Sequence, residues 1–154
     1  LEGEYHEGPV ADLLPVKCKD SDDRVNWCQG VVPKVVSEHA SIKELPLDKP
    51  PVFCGFNETG LREGAEPVLS ACLLEIRGGS LAYTGREYPL LVFGKSGKGT
   101  TCALTTDLAP HWVGGWVDWG PERVAAQARG GETVEVGNWY AKFITQLVSF
   151  LREA

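Results

Sequence analysis

The chain has 154 residues, about one domain, and its 43% hydrophobic and 23% charged residues are ordinary for a globular protein. Its net charge of -6 argues against nucleic acid or an anionic membrane as the main partner. No apolar stretch approaches the ~20 residues that span a bilayer, and the first residues have no signal-peptide character.

The cysteines indicate a cytoplasmic protein. There are five of them, well separated and without a CxxC pair, so zinc sites and thioredoxin-type redox sites are poorly supported. Free thiols in a reducing cytosol are therefore expected. The chain also lacks Met and begins with Leu, so we expect it to be part of a longer product.

The first third of the chain predicts short elements. Residues 8–16 predict one helical turn that ends at Pro15, and the polar residues 17–30 predict a loop. Residues 31–36 predict a strand that Pro33 confines to an edge. Residues 37–46 predict a short helix, capped by Ser37 or Ser41 and ended by a proline.

The middle third is predicted to be extended. Residues 49–59 indicate an extended segment followed by a turn, and residues 66–77 predict a strand bounded by Pro67 and two glycines. Residues 78–89 predict a loop.

The glycine-rich segment "VFGKSGKGTT", residues 92–101, resembles a phosphate-binding loop at first sight. Such a loop needs a Lys directly after its second glycine and a helix after that. Thr100 follows Gly99 instead, and the next residues alternate like a strand. The segment therefore predicts a β-hairpin that binds no nucleotide.

The C-terminal segment predicts a helix that begins at Asn138, a good N-cap. Apolar residues recur there at helical spacing, with Lys142 and Gln146 expected to face outward. The apolar positions are Trp139, Phe143, Leu147, Phe150 and Leu151.

Short strands alternating with short helices predict an α/β layered domain. The strongest candidate for chemistry is "TTDLAPHWVGGW", residues 105–116, a Gly-rich loop that follows a strand. Ligands of open α/β sheets bind outside the carboxyl ends of strands, and a His there is a potential general base. The alternative is that Asp107 caps the turn while His111 packs on a tryptophan.

Several stretches together resemble a known family: "GPVADLLPV", "PPVFCGFNET" and above all "YPLLVFGKSGKGTTCALTTDLAPHW". They are similar to the C-terminal part of bacterial cytoplasmic proteins described as putative glutamine amidotransferases, in the class I glutamine amidotransferase-like superfamily. The likeness covers nearly the whole chain. It implies a flavodoxin-like three-layer sandwich, of which residues 1–154 form the C-terminal portion of a single domain.

The resemblance also implies a catalytic pattern. In true class I amidotransferases a Cys at a nucleophile elbow attacks the glutamine amide, a later His activates it, and a Glu two residues beyond orients that His. His111 matches the His, but Val113 stands where the Glu is required. The family carries the elbow in a segment before this chain begins, and in this subgroup the elbow residue is commonly not Cys.

Other residues are weaker candidates. The resemblance puts the turn that holds Asn57 and Glu58 on the same face as His111, although an ordinary turn Asn is the alternative. The tryptophans of the loop predicted at residues 109–122 indicate a substrate pocket, or else a covered edge or subunit interface. They are Trp112, Trp116 and Trp119.

Two further groups are considered and set aside. Cys102 and Cys54 are interpreted as buried small hydrophobes rather than nucleophiles. The pairs at residues 6–7 and 38–39, each a His beside a Glu, lack a third ligand. No metal or cofactor is predicted.

Two functions remain open. One is a hydrolase or transferase acting on an amide or related bond, with His111 as acid/base assisted by Asp107, and with Trp112, Asn57 and Trp116 binding the substrate. The other is a non-catalytic module for small-molecule binding or assembly. In both, the expected partners are an N-terminal segment of the same protein or a companion chain, an unidentified small molecule and a second copy. We expect the chain to fold stably only beside that segment, with His111 and Trp112 at the seam.

Overall fold

The computed structural model describes residues 5–108, 112, 114–127 and 129–153. The helices are α1 (Gly8–Leu13) and α2 (Asn138–Glu153), with a 3-10 turn at Ala40–Ile42. The strands are β1 (Val16–Lys17), β2 (Arg24–Val35), β3 (Phe53–Asn57), β4 (Gly60–Leu61), β5 (Glu66–Arg77), β6 (Ser80–Ser96), β7 (Gly99–Leu104), β8 (Arg123–Gln127) and β9 (Thr133–Gly137). Within these ranges no helix is both long and apolar enough to cross a membrane.

Five strands form one sheet in the order β3-β2-β5-β6-β7. The remaining strands form two short pairs, β1 with β4 and β8 with β9. The chain is thus a mixed α/β structure with a C-terminal helix. Every strand pair in the described part of the chain is antiparallel, so the flavodoxin-like sandwich, which is built on parallel strands, is not confirmed.

The loop predicted at residues 78–89 is wrong, because β6 begins at Ser80 and pairs with β5 through a tight turn. Arg77 is the register partner of Ser80, and the two turn glycines have φ of 59° and 81°. Such positive values suit a two-residue hairpin turn. Leu81 and Tyr83 are 64% and 62% exposed, so residues 80–89 of this strand show no buried apolar face that a sequence pattern would reveal.

The hairpin predicted at residues 92–101 is confirmed. Ser96 pairs with Gly99, which leaves Gly97 and Lys98 as a two-residue turn, and Gly97 has φ of 59°. A strand follows this turn where a phosphate-binding loop would require a helix.

Strand β2 starts at Arg24, so the second half of the loop predicted at residues 17–30 is also wrong. The strand lies between β3 and β5 and is not an edge strand as a whole. Its pairing with β3 ends at Val31, however, whereas Pro33 pairs with Ala71 of β5. Pro33 therefore lies where β2 has one neighbouring strand, and proline is tolerated in such positions.

The short helix predicted within residues 37–46 is a 3-10 turn, and its N-cap is His39 rather than a serine. The His39 Nδ1 atom accepts a hydrogen bond from the Ser41 N–H at 3.1 Å. The ring stacks on Phe93 at 4.2 Å and meets Phe150 edge-on at 4.4 Å. Burial among these rings lowers the pKa of His39.

The C-terminal helix is confirmed from its first residue, and its predicted stripe packs on the sheet. Phe143 and Leu147 are buried, while Trp139, Phe150 and Leu151 lie at the margin of the same core. The first-turn N–H groups of Trp139 and Tyr140 donate to the Trp119 carbonyl at 3.1 and 3.2 Å. This carbonyl accepts from two of the first N–H groups of the helix, which have no hydrogen-bond partner within the helix itself.

The outward orientation predicted for Lys142 and Gln146 is wrong. Both side chains are half-buried and reach the segment after the 3-10 turn. Lys142 Nζ lies 3.3 Å from the Glu44 carbonyl, and Gln146 Nε2 donates to the Lys43 carbonyl at 3.0 Å. The helix is thereby held on its polar side as well as its apolar side.

Candidate functional site

The two edge strands of the five-stranded sheet meet at their C-terminal ends. The Asn57 N–H, at the end of β3, donates to the Thr105 carbonyl just after β7, at 2.7 Å. Beside it, the Thr106 hydroxyl donates to the Gly55 carbonyl at 2.8 Å. These bonds bring two segments that are far apart in sequence, residues 57–59 and 105–107, to one place.

A cavity of about 900 Å³ opens at this junction. It extends between the ends of the strands, the loop before β2 and the N-terminal segment around α1. Its polar lining includes Lys19, Asp22, Asp23, Arg24, Asn57 and Asp107. A concave site with several converging polar groups is what a small-molecule site requires.

The Asn57 side chain is held in a fixed position in this cavity. Its Nδ2 donates to Asp23 Oδ1 at 2.9 Å, and the neighbouring Glu58 N–H donates to the Asp23 carbonyl at 2.7 Å. Glu58 in turn pairs with Lys19 at 2.8 Å. Asn57 is therefore the centre of a polar network, not a solvated turn residue.

An exposed ion pair lies at the cavity rim. Arg24 Nε lies 2.9 Å from Asp22 Oδ1. The hydrogen bonds from Arg24 lower the pKa of Asp22 to about 2.

Trp112 forms part of the cavity wall. It is 5% exposed, and its Nε1 donates to Asn26 Oδ1 on β2 at 2.7 Å. The ring lies directly over Gly55 of β3. A Cβ at Gly55 would be 2.7 Å from the Trp112 Nε1 atom and 2.6 Å from the Val25 carbonyl oxygen, so this position requires glycine.

Asp107 also lines the cavity and is half-buried there. His111, the predicted acid/base, lies outside the described residues, as does Val113. Three of the five predicted site residues, Asn57, Asp107 and Trp112, thus share one cavity.

Trp116 lies elsewhere. It is 2% exposed, with its ring 5.1 Å from Phe53 and 5.4 Å from Phe143, in the core below α2. Trp119 is 8% exposed in the same core. Neither contributes to the lining of the cavity.

The cysteines differ in surroundings, and all five are free. Cys102 lines the cavity, and burial raises its pKa to about 12. It therefore stays a neutral thiol at physiological pH and makes a poor nucleophile. The buried position expected for Cys54 is wrong, since that side chain is exposed.

Each paired histidine and glutamate has other surroundings than a three-ligand cluster among the described residues. His6 lies 3.6 Å from Glu7 and lines the cavity, whereas His39 is the N-cap described above. No cluster of three potential ligands occurs in the described part of the chain.

Comparison with known proteins places the chain in a family. The sequence model of a family described as "Putative glutamine amidotransferase" matches residues 2–123. The chain belongs to this family. No curated protein matches this family member significantly.

Two solved structures of Salmonella typhimurium proteins resemble this amidotransferase-family chain. The cytoplasmic protein STM3548 is 26% identical with a TM-score of 0.69, and the match covers 96% of the present chain and 47% of that one. The cytoplasmic protein STM1381, from strain LT2, is 28% identical with a TM-score of 0.55, covering 71% and 38% respectively. The chain thus spans about half or less of the solved chains it matches.

Sequence reasoning missed the charged side of the cavity in this family member. Lys19, Asp22, Asp23 and Arg24 all fall in the loop predicted at residues 17–30. The available signal was the run "KDSDDR" directly before a strand, a density of charge unusual for a simple connection.

Proposed function

We propose that the chain is the C-terminal portion of an amidotransferase-like domain that hydrolyses or transfers an amide or related bond. His111 acts as the general acid/base, and Asp107 orients it or balances its charge. The observation that supports this is the convergence of Asn57, Asp107 and Trp112 on one cavity. His111 directly precedes Trp112, whose ring forms the wall of that cavity.

Amide transfer needs a nucleophile, a base that activates it and donors that stabilise the oxyanion. Asn57 offers an amide group fixed by Asp23, suited to orienting a substrate carbonyl or amide. The cavity's two thiols, Cys18 and Cys102, both have their pKa raised by burial and do not supply the nucleophile. The nucleophile is therefore assigned to an N-terminal segment of the same protein or to a companion chain.

The same proposal includes the flavodoxin-like three-layer arrangement. One face of the sheet packs on α2, through Phe143 and Leu147. On the other face, Val16 packs against Val92 and Ala103. We also propose a cytoplasmic location, because both matched Salmonella proteins are named cytoplasmic.

The test is turnover by the protein expressed from its complete gene. Ammonia release from L-glutamine and from a panel of simple amides is measured for the wild type, His111→Asn and Asp107→Asn. General acid/base removal is expected to lower kcat by about 10²–10⁴-fold. Asp12→Asn, an exposed carboxylate on α1, is the matched control and should leave kcat unchanged. Equal turnover in all variants would refute the assignment.

The second candidate is a non-catalytic module that binds a small molecule or supports assembly, including homo-oligomers. The observation that favours it is Val113, which stands where class I enzymes orient their His with a Glu. If this second candidate is correct, neither L-glutamine nor any of the simple amides is hydrolysed. Asn57→Ala should instead weaken binding of a cavity ligand found by thermal-shift screening, whereas Asp12→Asn should not.

A further inference from the structure

The outer end of the β5–β6 hairpin, residues 74–83, is a two-stranded ribbon. Strand β2 pairs with β5 only along residues 69–73, and β7 pairs with β6 only along residues 91–96. In the described part of the chain no third strand therefore pairs with the ribbon. A two-stranded ribbon is at best marginally stable in water, so it needs a surface on which one of its faces can pack.

The ribbon turns its apolar face to solvent. Leu74 pairs with Tyr83 and Ile76 pairs with Leu81, and directly paired residues of antiparallel strands share a face, so these four side chains form one apolar stripe. Leu74 is buried at the base of the stripe, whereas the other three side chains are more than 60% exposed. On the opposite, polar face the Glu75 side chain is only 30% exposed. This is the reverse of an ordinary hairpin and indicates that something covers the stripe.

A second cavity, a groove of about 880 Å³, adjoins the ribbon. It lies between the end of β2 and residues 38–50, and Tyr83 of the ribbon forms part of its wall. Its larger aliphatic lining residues are Val35, Ile42, Leu45 and Leu47. The projecting ribbon and the groove therefore form one continuous surface.

The groove and the ribbon tip have complementary charges. Three carboxylates and two lysines line the groove. Lys34 and Glu44 are already paired with residues outside the lining, which leaves two carboxylates, Glu38 and Asp48, against one lysine. The outermost charge of the ribbon is Arg77, whose side chain is 72% exposed despite an ion pair within the ribbon. An acidic groove suits a basic ribbon tip.

We propose that the ribbon of each copy packs into the groove of a second copy, about a two-fold axis that passes near Tyr83. In a two-fold interface the same patch occurs on both partners, so a ribbon beside a groove complements itself. The ten ribbon residues and the fourteen residues that line the groove have Tyr83 in common, and together they supply 23 residues. Stable interfaces use about 20–30 residues a side. This pairing is independent of the activity proposed above.

The test is the oligomeric state of the protein expressed from its complete gene, measured by sedimentation velocity from micromolar to submillimolar concentrations. The wild type should form a dimer. Leu81→Lys introduces a charge into the apolar contact twice per dimer and should weaken self-association by at least about tenfold, as loss of a central interface side chain does. Val134→Lys is the matched control, because Val134 is a 56% exposed strand residue on β9, and it should leave association unchanged.

Photo-cross-linking identifies what covers the ribbon, and it remains available if Leu81→Lys does not fold. A benzophenone amino acid replaces Ser80, beside Leu81, in an equal mixture of 14N-labelled and 15N-labelled protein. Cross-links should join position 80 of one copy to residues 33–50 of another and so combine the two isotopes. A monomer at every concentration, a dimer that both lysine variants weaken equally, or cross-links confined to one chain would each overturn the proposal.

Discussion

Truncating Leu147 tests how α2 is attached to the sheet. The side chain is 7% exposed and packs in the core with Phe143 and Tyr140. Leu147→Ala removes three buried carbons, a transfer loss of roughly 2.4 kcal/mol at about 0.8 kcal/mol each. The cavity left behind brings the expected loss in the free energy of unfolding to about 2–5 kcal/mol.

The assay is urea unfolding followed by circular dichroism, with thermal unfolding as a second measurement. For a chain of this size, a loss of about 3 kcal/mol lowers Tm by about 6–12 °C. Val148→Ala is the matched control on the next residue of the same helix, because Val148 is 51% exposed. It should change the free energy of unfolding by no more than about 0.5 kcal/mol.

A loss below about 0.5 kcal/mol for Leu147→Ala would refute the packing described here. Equal losses for Leu147 and Val148 would show that burial of the side chain does not determine the effect.

Three other predictions concern the strands, the 3-10 turn and the thiols. Gly55→Ala should lower the free energy of unfolding by about 1–3 kcal/mol and shift tryptophan fluorescence, because the new Cβ collides with the Trp112 indole and the Val25 carbonyl oxygen. Gly60→Ala is the control, because the nearest atom to a Cβ there is 3.9 Å away, and an equal effect of this change would contradict the prediction. The folded-state pKa of His39 lies below its ordinary value of 6.5, so the folded state binds fewer protons than the unfolded state. The free energy of unfolding should therefore fall as pH decreases from about 6.5 toward that lowered pKa. His39→Asn should flatten this dependence, and an unchanged pH profile would show that other groups cause it. Cys54 is exposed and should react with a thiol reagent at neutral pH much faster than Cys102, because burial raises the pKa of Cys102 to about 12. The rates are compared in single-cysteine variants, and similar rates would show that the β7 edge opens readily.

The sequence by itself determined the elements whose signals are local. The spacing of Phe143 and Leu147 predicts α2 because neighbours on one helix face are three or four residues apart. The glycines at 97 and 99 predict the β6–β7 turn because only a few residue types accept its backbone angles. The position of Asp107 and Trp112 after a strand predicts them as site residues, and both line the cavity.

Only the tertiary structure decided which of these residues meet. Strand pairing joins residues far apart in sequence, so neither the strand at residues 80–89 nor the junction of Asn57 with Thr105 has a local signal. Burial of Trp116 against Phe143 likewise depends on where α2 packs, whereas composition alone favours a pocket or a surface equally. A side chain's role in a site depends on its surroundings, and those are assembled by contacts over long sequence distances.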